Sequence, residues 1–279
     1  MDASGAGDGN RDRDVATGRP GEPPWSRTAR TLPVTGPVSG SVAERAAATG
    51  RRPRPQRNFV WRWLRRLLLL GLTAVIGLLG LVVVYRFAVP GYTPTMLYDL
   101  LSGGSVEQTW VPLSRVSPRL VRAVVASEDG RFCTHHGVDL GELKAAIEEA
   151  RSGSPRGAST ISMQLVKNLF LWQGRSYVRK AIELPLTLWL ELVWPKKRIM
   201  EVYLNIAEWG PGIYGIEAAS RHAFGKPASR LTADEAALLA VVLPSPSERD
   251  AANPDDRHVR IARIIAARAR GPINTGCLD

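Results

Sequence analysis

The feature that most constrains this chain is a run of nineteen residues without a charge, LLLLGLTAVIGLLGLVVVY at 67–85. A helix of that length extends about 28 Å, close to the roughly 30 Å hydrocarbon core of a bilayer. The alternative is a buried helix of a globular core, but such helices are seldom so long and so uniformly apolar. The sequence therefore predicts one transmembrane helix, at 64–87, with Trp61, Trp63 and Tyr85 as interfacial aromatic residues.

The charge on either side of this run indicates its orientation. The first 66 residues hold 13 arginines and six acidic residues, which accounts for +7 of the chain's net +11. Because Lys and Arg are enriched on the cytoplasmic side of membrane helices, we expect the N-terminus in the cytoplasm and residues 87–279 on the other side. No small-residue cleavage site follows the run, so we interpret it as an uncleaved signal anchor.

Residues 1–60 are expected to form a disordered basic arm, because they are rich in Gly, Pro and Arg and cannot bury enough apolar surface to fold. We favour the interpretation in which the arginines only set the topology; in the alternative they bind anionic lipid or a cytoplasmic partner. The remaining charge of +4 belongs to the rest of the chain and gives no uniformly basic face. A nucleic-acid partner is therefore not expected.

Helix start signals dominate the sequence after residue 116 and predict a mainly α domain at 117–272, joined to the anchor by a connector at 88–116. The predicted helix starts are Ser117, Asp139, Ser159 or Thr160, Ser176, Lys196, Thr232 and Asn253. The apolar stretch 184–194 is predicted to be a core helix, with partial immersion in the membrane as the alternative. Cys133 and Cys277 have no metal-ligand spacing, and although a disulfide is permitted outside the cytoplasm, we expect both to be unpaired.

Carboxylates and cations are the side chains left for chemistry, because the chain lacks the GxxxxGK[ST] phosphate loop and the HExxH zinc motif. Two carboxylates and three cations lie on the predicted helices: Glu128, Glu183, Lys167, Arg179 and Lys180. This set suits displacement of a phosphate-bearing leaving group by a hydroxyl, with one carboxylate as the base and the cations stabilising the departing charge. The alternatives give these residues a structural role only: the acidic residues would be a pair at a helix end, the polar residues a solvated helix face, and the Arg and Glu an ordinary surface pair.

The segment 157–160, Gly-Ala-Ser-Thr, begins one of these helices and is predicted to bind an anion. The first N–H groups of a helix lack partners within it and carry the positive end of its dipole, which favours a phosphate. After this start, Thr160, Gln164, Lys167 and Asn168 recur at helical spacing and form a polar stripe. The helix start, the polar stripe and the two carboxylates would then belong to one site.

Five segments, in this order and spacing, resemble the peptidoglycan glycosyltransferases, glycosyltransferase family 51, and the resemblance covers roughly residues 95–245. The segments are EDGRFCTHHGVD at 128–139, GASTISMQLVKN at 157–168, RKAIE at 179–183, KRIMEVYLN at 197–205 and GIYGIEAASRHAFGK at 212–226. The resemblance implies a lysozyme-like, mostly helical domain with a large lobe and a small membrane-facing lobe.

The resemblance also implies a reaction, in which lipid II is polymerised into β-1,4-linked glycan strands with inversion at the donor C1 and release of undecaprenyl diphosphate. The enzyme would lie in the bacterial inner membrane with its catalytic domain in the periplasm. Its partners would be lipid II, the growing strand and proteins of cell-wall synthesis or division. Bifunctional relatives add a penicillin-binding transpeptidase domain, whose S-x-x-K, S-D-N and K-T-G motifs are missing from this sequence, so we expect no cross-linking activity.

Residue roles follow from the resemblance by motif position. Glu128 would be the general base on the acceptor 4-hydroxyl, and Glu183 the second carboxylate, near the diphosphate. Asp129, Phe132 and His135 would shape the site of the base. The residues expected to hold the donor and its diphosphate are Ser159, Thr160, Gln164, Lys167, Asn168, Arg179 and Lys180, with Asn205 as a further motif residue of less defined role. The one cofactor that the resemblance allows is a divalent cation, Mg or Mn, near Glu183.

Two rival functions are compatible with the sequence. A lysozyme-like glycosidase also uses two carboxylates, although it does not need a cluster of cations for a diphosphate. A non-enzymatic membrane-anchored scaffold would use its basic arm to bind lipid or nucleic acid. Incubation with lipid II separates the synthase from both.

Overall fold

A computed structural model of the chain describes residues 57–151, 157, 159–174 and 176–279. Residues 1–56 of the predicted basic arm lie outside this part of the chain, and the prediction that the arm is disordered therefore lies outside the described residues. The described chain is mainly helical, which confirms the predicted fold class. Its α-helices are α1 Arg57–Tyr85, α2 Pro94–Leu101, α3 Pro118–Glu128, α4 Leu140–Arg151, α5 Ile161–Phe170, α6 Tyr177–Val193, α7 Lys196–Ile206, α8 Ile216–Phe224, α9 Ala233–Val242 and α10 Asp256–Arg270. Its strands are β1 Glu107–Gln108, β2 Glu208–Gly210 and β3 Ile213–Tyr214.

The first helix, α1, begins in the arginine-rich segment and continues through the apolar run. Within the part of the chain that the structure describes, only Phe59–Tyr85 is long and apolar enough to cross a membrane. Its 27 residues extend about 40 Å, more than the hydrocarbon core requires. Most of its large apolar side chains are exposed, so the packing of the domain does not account for them.

Side chains of the domain bond the last turn of α1. Trp194 Nε1 donates to the carbonyl oxygen of Val82 at 2.7 Å, and Arg198 Nη2 donates to that of Tyr85 at 3.0 Å. Carbonyl groups at a helix C-terminus have no partner within the helix, so these bonds satisfy groups that would otherwise need water. The anchor helix and the domain belong to one compact unit, Arg57–Asp279.

Two groups of helices build the core of the domain. Helices α3, α9 and α10 pack on one another, and α5 packs against α6 and α7. Leu120, Leu165, Ile199 and Leu239 are among the fully buried side chains, each worth about 1.5–3 kcal/mol relative to exposure. The C-terminal end of α3, the inner face of α5 and the first turns of α6 meet at one cavity.

The connector between anchor and domain contains regular structure, including α2 and β1. Strand β1 pairs in parallel with β3, and β3 pairs antiparallel with β2, so the sheet order is β1-β3-β2. Gly215, between β3 and α8, has a φ of +82°, and a Cβ there would lie 2.7 Å from the carbonyl oxygen of Asn205. Glycine is required at this turn for both reasons.

The helix start signals locate some helix N-termini correctly and one of them wrongly. Thr160 and Thr232 cap α5 and α9 as predicted, each accepting a hydrogen bond from the backbone N–H three residues later. The predicted cap of the last helix, Asn253, is wrong: Asp255 caps α10 and accepts from the N–H of His258 at 2.6 Å. The Asn253 side chain instead donates through its NH₂ group to the Asp250 carboxylate, upstream of the helix.

The apolar stretch 184–194 lies almost entirely in α6, where it has one buried face and one exposed face. Leu186 and Leu190 are buried in the core, as a core helix requires. Leu188 and Leu192 are exposed, the latter by 77%, on the opposite face. Helix α6 is therefore amphipathic, with its second apolar face free of the domain core.

The cysteines form a disulfide, contrary to the expectation that both are unpaired. Cys133 and Cys277 are bonded with a Cα–Cα distance of 5.6 Å, within the usual range for a disulfide. The C-terminal turn Gly276–Leu278 packs against α7 and buries Leu278, which brings Cys277 to the loop after α3. A sequence separation of 144 residues carried no information on this proximity.

Candidate active site

The carboxylate of Glu128 ends α3 and is held from two sides. Gln164 Nε2, on α5, donates to Glu128 Oε2 at 3.0 Å, and Ser127 Oγ donates to Oε1 at 3.1 Å. Burial raises the pKa of the Glu128 carboxyl above its usual value, while these two hydrogen bonds and the nearby charge of Arg249 oppose the increase. The result is a partly buried carboxylate that takes up a proton more readily than an exposed one.

Asp129, the next residue, occupies the start of α5. Its Oδ2 accepts from the Ile161 N–H at 3.0 Å, and His135 Nε2 bonds the same carboxylate at 2.9 Å. Thr160 Oγ1 accepts from the Met163 N–H at 3.2 Å. The N–H groups of Ile161 and Met163, in the first turn of α5, are thus bonded within the protein and are not free for an anionic ligand. Asp129 is itself the anion at the positive end of the helix.

The cations lie on the other side of the cavity, around Glu183. Arg179 Nη1 donates to Glu183 Oε2, and Lys180 Nζ lies 3.0 Å from Oε1. Lys180 Nζ also donates to Ser159 Oγ at 3.1 Å. The side chains of Arg179 and Glu183 are less than a tenth exposed, so this is not the surface pair that the helical spacing alone allows.

Lys167 completes the cationic side from α5. Burial lowers the pKa of its ammonium group, and the positive charge of Arg179 lowers it further. Like charges held this close repel one another in the free protein. An anion bound between them would relieve that repulsion, which is the electrostatic condition expected of a phosphate site.

A cavity of about 450 Å³ separates the carboxylate of Glu128 from the cations. The predicted residues that line it are Glu128, Ser159, Gln164, Lys167, Arg179, Lys180 and Glu183. Two further cavities, of about 370 and 300 Å³, adjoin it: the larger shares Gln164 and Lys167 with it, and the smaller shares Glu128 and Ser159. The larger is lined by Asn168, and the smaller by Asp129 and Thr160. A long polar cleft therefore passes the carboxylate, as an extended substrate requires.

Three predicted site residues lie behind the cleft instead of in it. The Phe132 side chain is fully buried, with Lys196 Nζ 4.4 Å from its ring centre, and His135 is buried against Asp129. Asn205 is also fully buried, and its amide exchanges two hydrogen bonds of 2.8 Å with the backbone of Val111. These residues hold the walls of the site in position, and Asn205 fastens the connector to α7.

The sequence reasoning missed several residues of the cleft. Ser127 and Arg249 act on Glu128, and Leu243 and Pro244 line the cavity from the segment after α9. Tyr203 bonds Gln164 from α7. Tyr203 lies inside a quoted motif and Ser127 directly precedes Glu128, which were usable signals. Leu243, Pro244 and Arg249 carry none, because their proximity to Glu128 depends on how α9 and the segment after it pack.

The side chains near Glu183 do not fit a divalent cation. Both carboxylate oxygens already pair with positive groups, Oε2 with Arg179 and Oε1 with Lys180, and a further cation would be repelled. Among the residues that the structure describes, no group of three or more His, Cys, Asp and Glu side chains could hold a metal ion. We derive no step of the chemistry through a metal.

Known proteins share this sequence over most of its length. A family model described as Transglycosylase matches residues 95–269. A biosynthetic peptidoglycan transglycosylase of Brucella suis is 58% identical over 173 residues, which cover 62% of this chain and 76% of that protein. Proteins of the same name from Agrobacterium fabrum and Nitrobacter hamburgensis are 53% identical over 188 residues and 47% identical over 220 residues. These alignments cover 66% and 77% of this chain, and 83% and 97% of the two relatives.

Proposed function

The chain belongs to the transglycosylase family, and from this premise we propose that it polymerises lipid II into β-1,4-linked glycan strands at a bacterial inner membrane. The observation that carries the proposal is the partly buried carboxylate of Glu128 facing Lys167, Arg179 and Lys180 across one cavity. A base on one side and a cluster of cations on the other suit attack by a hydroxyl on a carbon that bears a diphosphate.

In the proposed step, Glu128 accepts the proton of the acceptor 4-hydroxyl as that oxygen bonds the donor C1. The bond from C1 to the diphosphate breaks, and its electron pair leaves with undecaprenyl diphosphate. The raised pKa of the Glu128 carboxyl supports this role, because a base is most effective when its pKa approaches the working pH.

The cations stabilise the leaving group. Lys167, Arg179 and Lys180 neutralise the charge that develops on the diphosphate, so it needs no proton to depart. Glu183 accepts from two of them and fixes their positions, which gives this carboxylate an organising role. A glycosidase, in which no diphosphate departs, has no use for three cations here, and this favours the synthase over that rival.

The membrane part of the proposal rests on α1 and α6. The apolar helix α1 anchors the protein, and the arginines before it favour a cytoplasmic N-terminus and a periplasmic domain. The exposed apolar face of α6, which includes Leu188 and Leu192, would lie against the outer leaflet. The active site would then be within reach of a lipid-linked substrate. Proteins of cell-wall synthesis or division stay predicted partners.

The proposal covers polymerisation without cross-linking. The alignment with the Nitrobacter hamburgensis protein covers 97% of that relative in 220 residues, which leaves it no room for a transpeptidase domain. The activity expected of this sequence is therefore the glycosyltransferase reaction alone.

Glu128→Gln in the full chain tests the proposal. The wild type is expected to convert lipid II to polymer and to be inhibited by moenomycin, as the family resemblance implies. Loss of the base is expected to lower the rate by about 10²–10⁴-fold. Polymer length is measured on gels or by chromatography.

The matched control is Glu107→Gln, an exposed carboxylate on β1 outside the cleft, which should keep the wild-type rate. Full activity of the Glu128 variant would remove this residue from the mechanism. Shortening of preformed glycan by the wild type, without any polymer from lipid II, would establish the glycosidase instead.

A further inference from the structure

A hydrogen-bonded chain of three side chains runs from the core of the domain to the proposed base. Tyr203, on α7, is 1% exposed, and its hydroxyl donates to Gln164 Oε1 at 2.9 Å. Gln164 Nε2 donates to Glu128 Oε2 at 3.0 Å. The hydrogen-bonded connection between Tyr203 and the carboxylate of Glu128 runs through the amide of Gln164.

The direction of this chain follows from the chemistry of its groups. An ionised carboxylate only accepts hydrogen bonds, so Gln164 must turn its NH₂ group toward Glu128 and its carbonyl oxygen toward Tyr203. Burial raises the pKa of the Tyr203 hydroxyl well above its usual value, so this group stays a donor throughout the working pH range. The carboxylate, which can only accept, sets the orientation of the amide, and the Tyr203 hydroxyl supports that orientation by donating to the amide oxygen.

We propose that Tyr203 is a positioning residue for the reaction: by donating to Gln164 it fixes the amide, and the amide holds the Glu128 carboxylate toward the acceptor hydroxyl. The proposal rests on the proposed function, since it takes Glu128 to be the base. It adds a role for Tyr203, which lies in the quoted motif at 197–205 and lines the 370 Å³ cavity but was not among the predicted site residues.

The pH dependence of activity reports on this arrangement. The bond from Gln164 lowers the pKa of the Glu128 carboxyl, opposing burial, so loss of that bond raises it. The other charged groups that face Glu128 or line the cavities it borders are Asp129, Arg131, Asp139, Glu142, Lys167, Arg179, Lys180, Glu183, Arg249 and Arg268. None of them bonds Tyr203, so removing the Tyr203 hydroxyl changes the surroundings of Glu128 through Gln164.

Tyr203→Phe in the full-length protein is the test, with lipid II as the substrate. The substitution keeps the ring and removes only the hydroxyl. The rate at saturating lipid II is expected to fall by about ten- to a hundredfold, with a smaller change in KM, because the base is misplaced while the diphosphate contacts are intact. The acid limb of the pH–rate profile moves to higher pH.

Two further variants separate positioning from packing. Tyr214→Phe removes a hydroxyl that bonds Asp99 at 2.5 Å, and it should keep the wild-type acid limb. Gln164→Leu removes the amide that links Tyr203 to Glu128. In a protein that already carries Gln164→Leu, Tyr203→Phe should have no further effect on the rate or on the acid limb of the pH–rate profile. Such non-additivity is the signature of residues that act through one another. Melting temperatures check that each variant folds; should Tyr203→Phe fail to fold, Gln164→Leu alone must reproduce the shifted acid limb.

The outcomes distinguish the two proposals. If Glu128→Gln keeps its activity, the base assignment is overturned and the role of Tyr203 with it. If Glu128→Gln is inactive but Tyr203→Phe keeps the wild-type acid limb, the positioning role alone is overturned. Additive effects of Tyr203→Phe and Gln164→Leu would equally overturn it, because Tyr203 would then act by another route.

Discussion

The environment of Glu128 shows how one residue is adapted at the expense of stability. The carboxyl is partly buried beside Asp129, and burial raises its pKa despite the hydrogen bonds from Gln164 and Ser127. Keeping a charge from water raises the free energy of the folded state, whereas the same charge in the unfolded chain is exposed to water. The same burial makes the carboxylate a better base, so activity and stability are opposed at this position.

This opposition predicts a pH-dependent stability difference between Glu128→Gln and the wild type. A raised pKa means that the folded protein binds this proton more tightly than the unfolded chain, so the wild type loses stability as the pH rises through the unfolded and then the folded value. The Glu128→Gln variant has no carboxyl to ionise at this position, so it does not lose stability in this way. It should melt at a higher temperature than the wild type at pH 8, and the difference should vanish below the ordinary carboxyl pKa.

Thermal melts of the detergent-solubilised proteins at several pH values measure this difference. Glu107→Gln, with its exposed carboxylate, should match the wild type throughout. A Glu128→Gln protein less stable than the wild type at pH 8 would contradict the burial argument.

At the scale of elements, the start of α5 joins three parts of the site. Thr160 supplies the cap that the sequence predicts, and the Asp129 carboxylate, from the loop after α3, binds the Ile161 N–H. His135 bonds Asp129 in turn. The helix that carries Gln164 is thereby fixed relative to the end of α3, which carries Glu128, the proposed base.

Asp129→Ala should therefore destabilise the protein by about 1–3 kcal/mol, because it leaves the buried Ile161 N–H and His135 Nε2 without partners. Asp255→Ala is the comparison, since Asp255 also caps a helix, α10, but is exposed; its loss should cost less, because water can replace the carboxylate. Denaturation curves compare the two variants, and activity should fall only in the Asp129 variant. An Asp129 variant as stable as the wild type would show that the α5 start does not depend on this carboxylate.

At the scale of the whole molecule, distant parts of the chain are fastened to the catalytic domain. The carbonyl groups of the last turn of α1 accept from Trp194 and Arg198, so the anchor is seated on the domain and is not a free tether. The Cys133–Cys277 disulfide joins the C-terminal turn to the loop that follows the base. The C-terminal end of the anchor helix and the C-terminal turn of the chain are thus both fastened to the domain that contains the site.

Replacement of both cysteines by serine should lower the free energy of unfolding by about 2–4 kcal/mol, because the crosslink no longer restricts the unfolded chain. The wild type should show the same loss when it is melted in a thiol reductant, and the double variant should be insensitive to reductant. Identical melting temperatures for wild type and variant under oxidising conditions would indicate that the bond contributes nothing.

The predictions that succeeded from sequence depend on neighbours along the chain. Helix caps such as Thr160 and Thr232, and the apolar run of α1, are defined within a few residues, so composition and spacing identify them. The motifs also indicated Glu128, Lys167 and Arg179, which the structure brings to one cavity; their roles as base and phosphate-binding cations stay predictions. The family alignments bear out the transglycosylase interpretation.

What only the tertiary structure decided depends on distances between residues far apart in sequence. Asp129 fills the helix start that the sequence indicated as free for a ligand, Asn205 lies in the interior, and Cys133 meets Cys277. Tyr203 reaches Glu128 through a glutamine on another helix. The sequence by itself determined which side chains could do the chemistry and which segments are helical, because these properties are local. Packing decided which of those side chains face the cleft and which support it, because a hydrogen bond forms only where the fold brings donor and acceptor within about 3 Å.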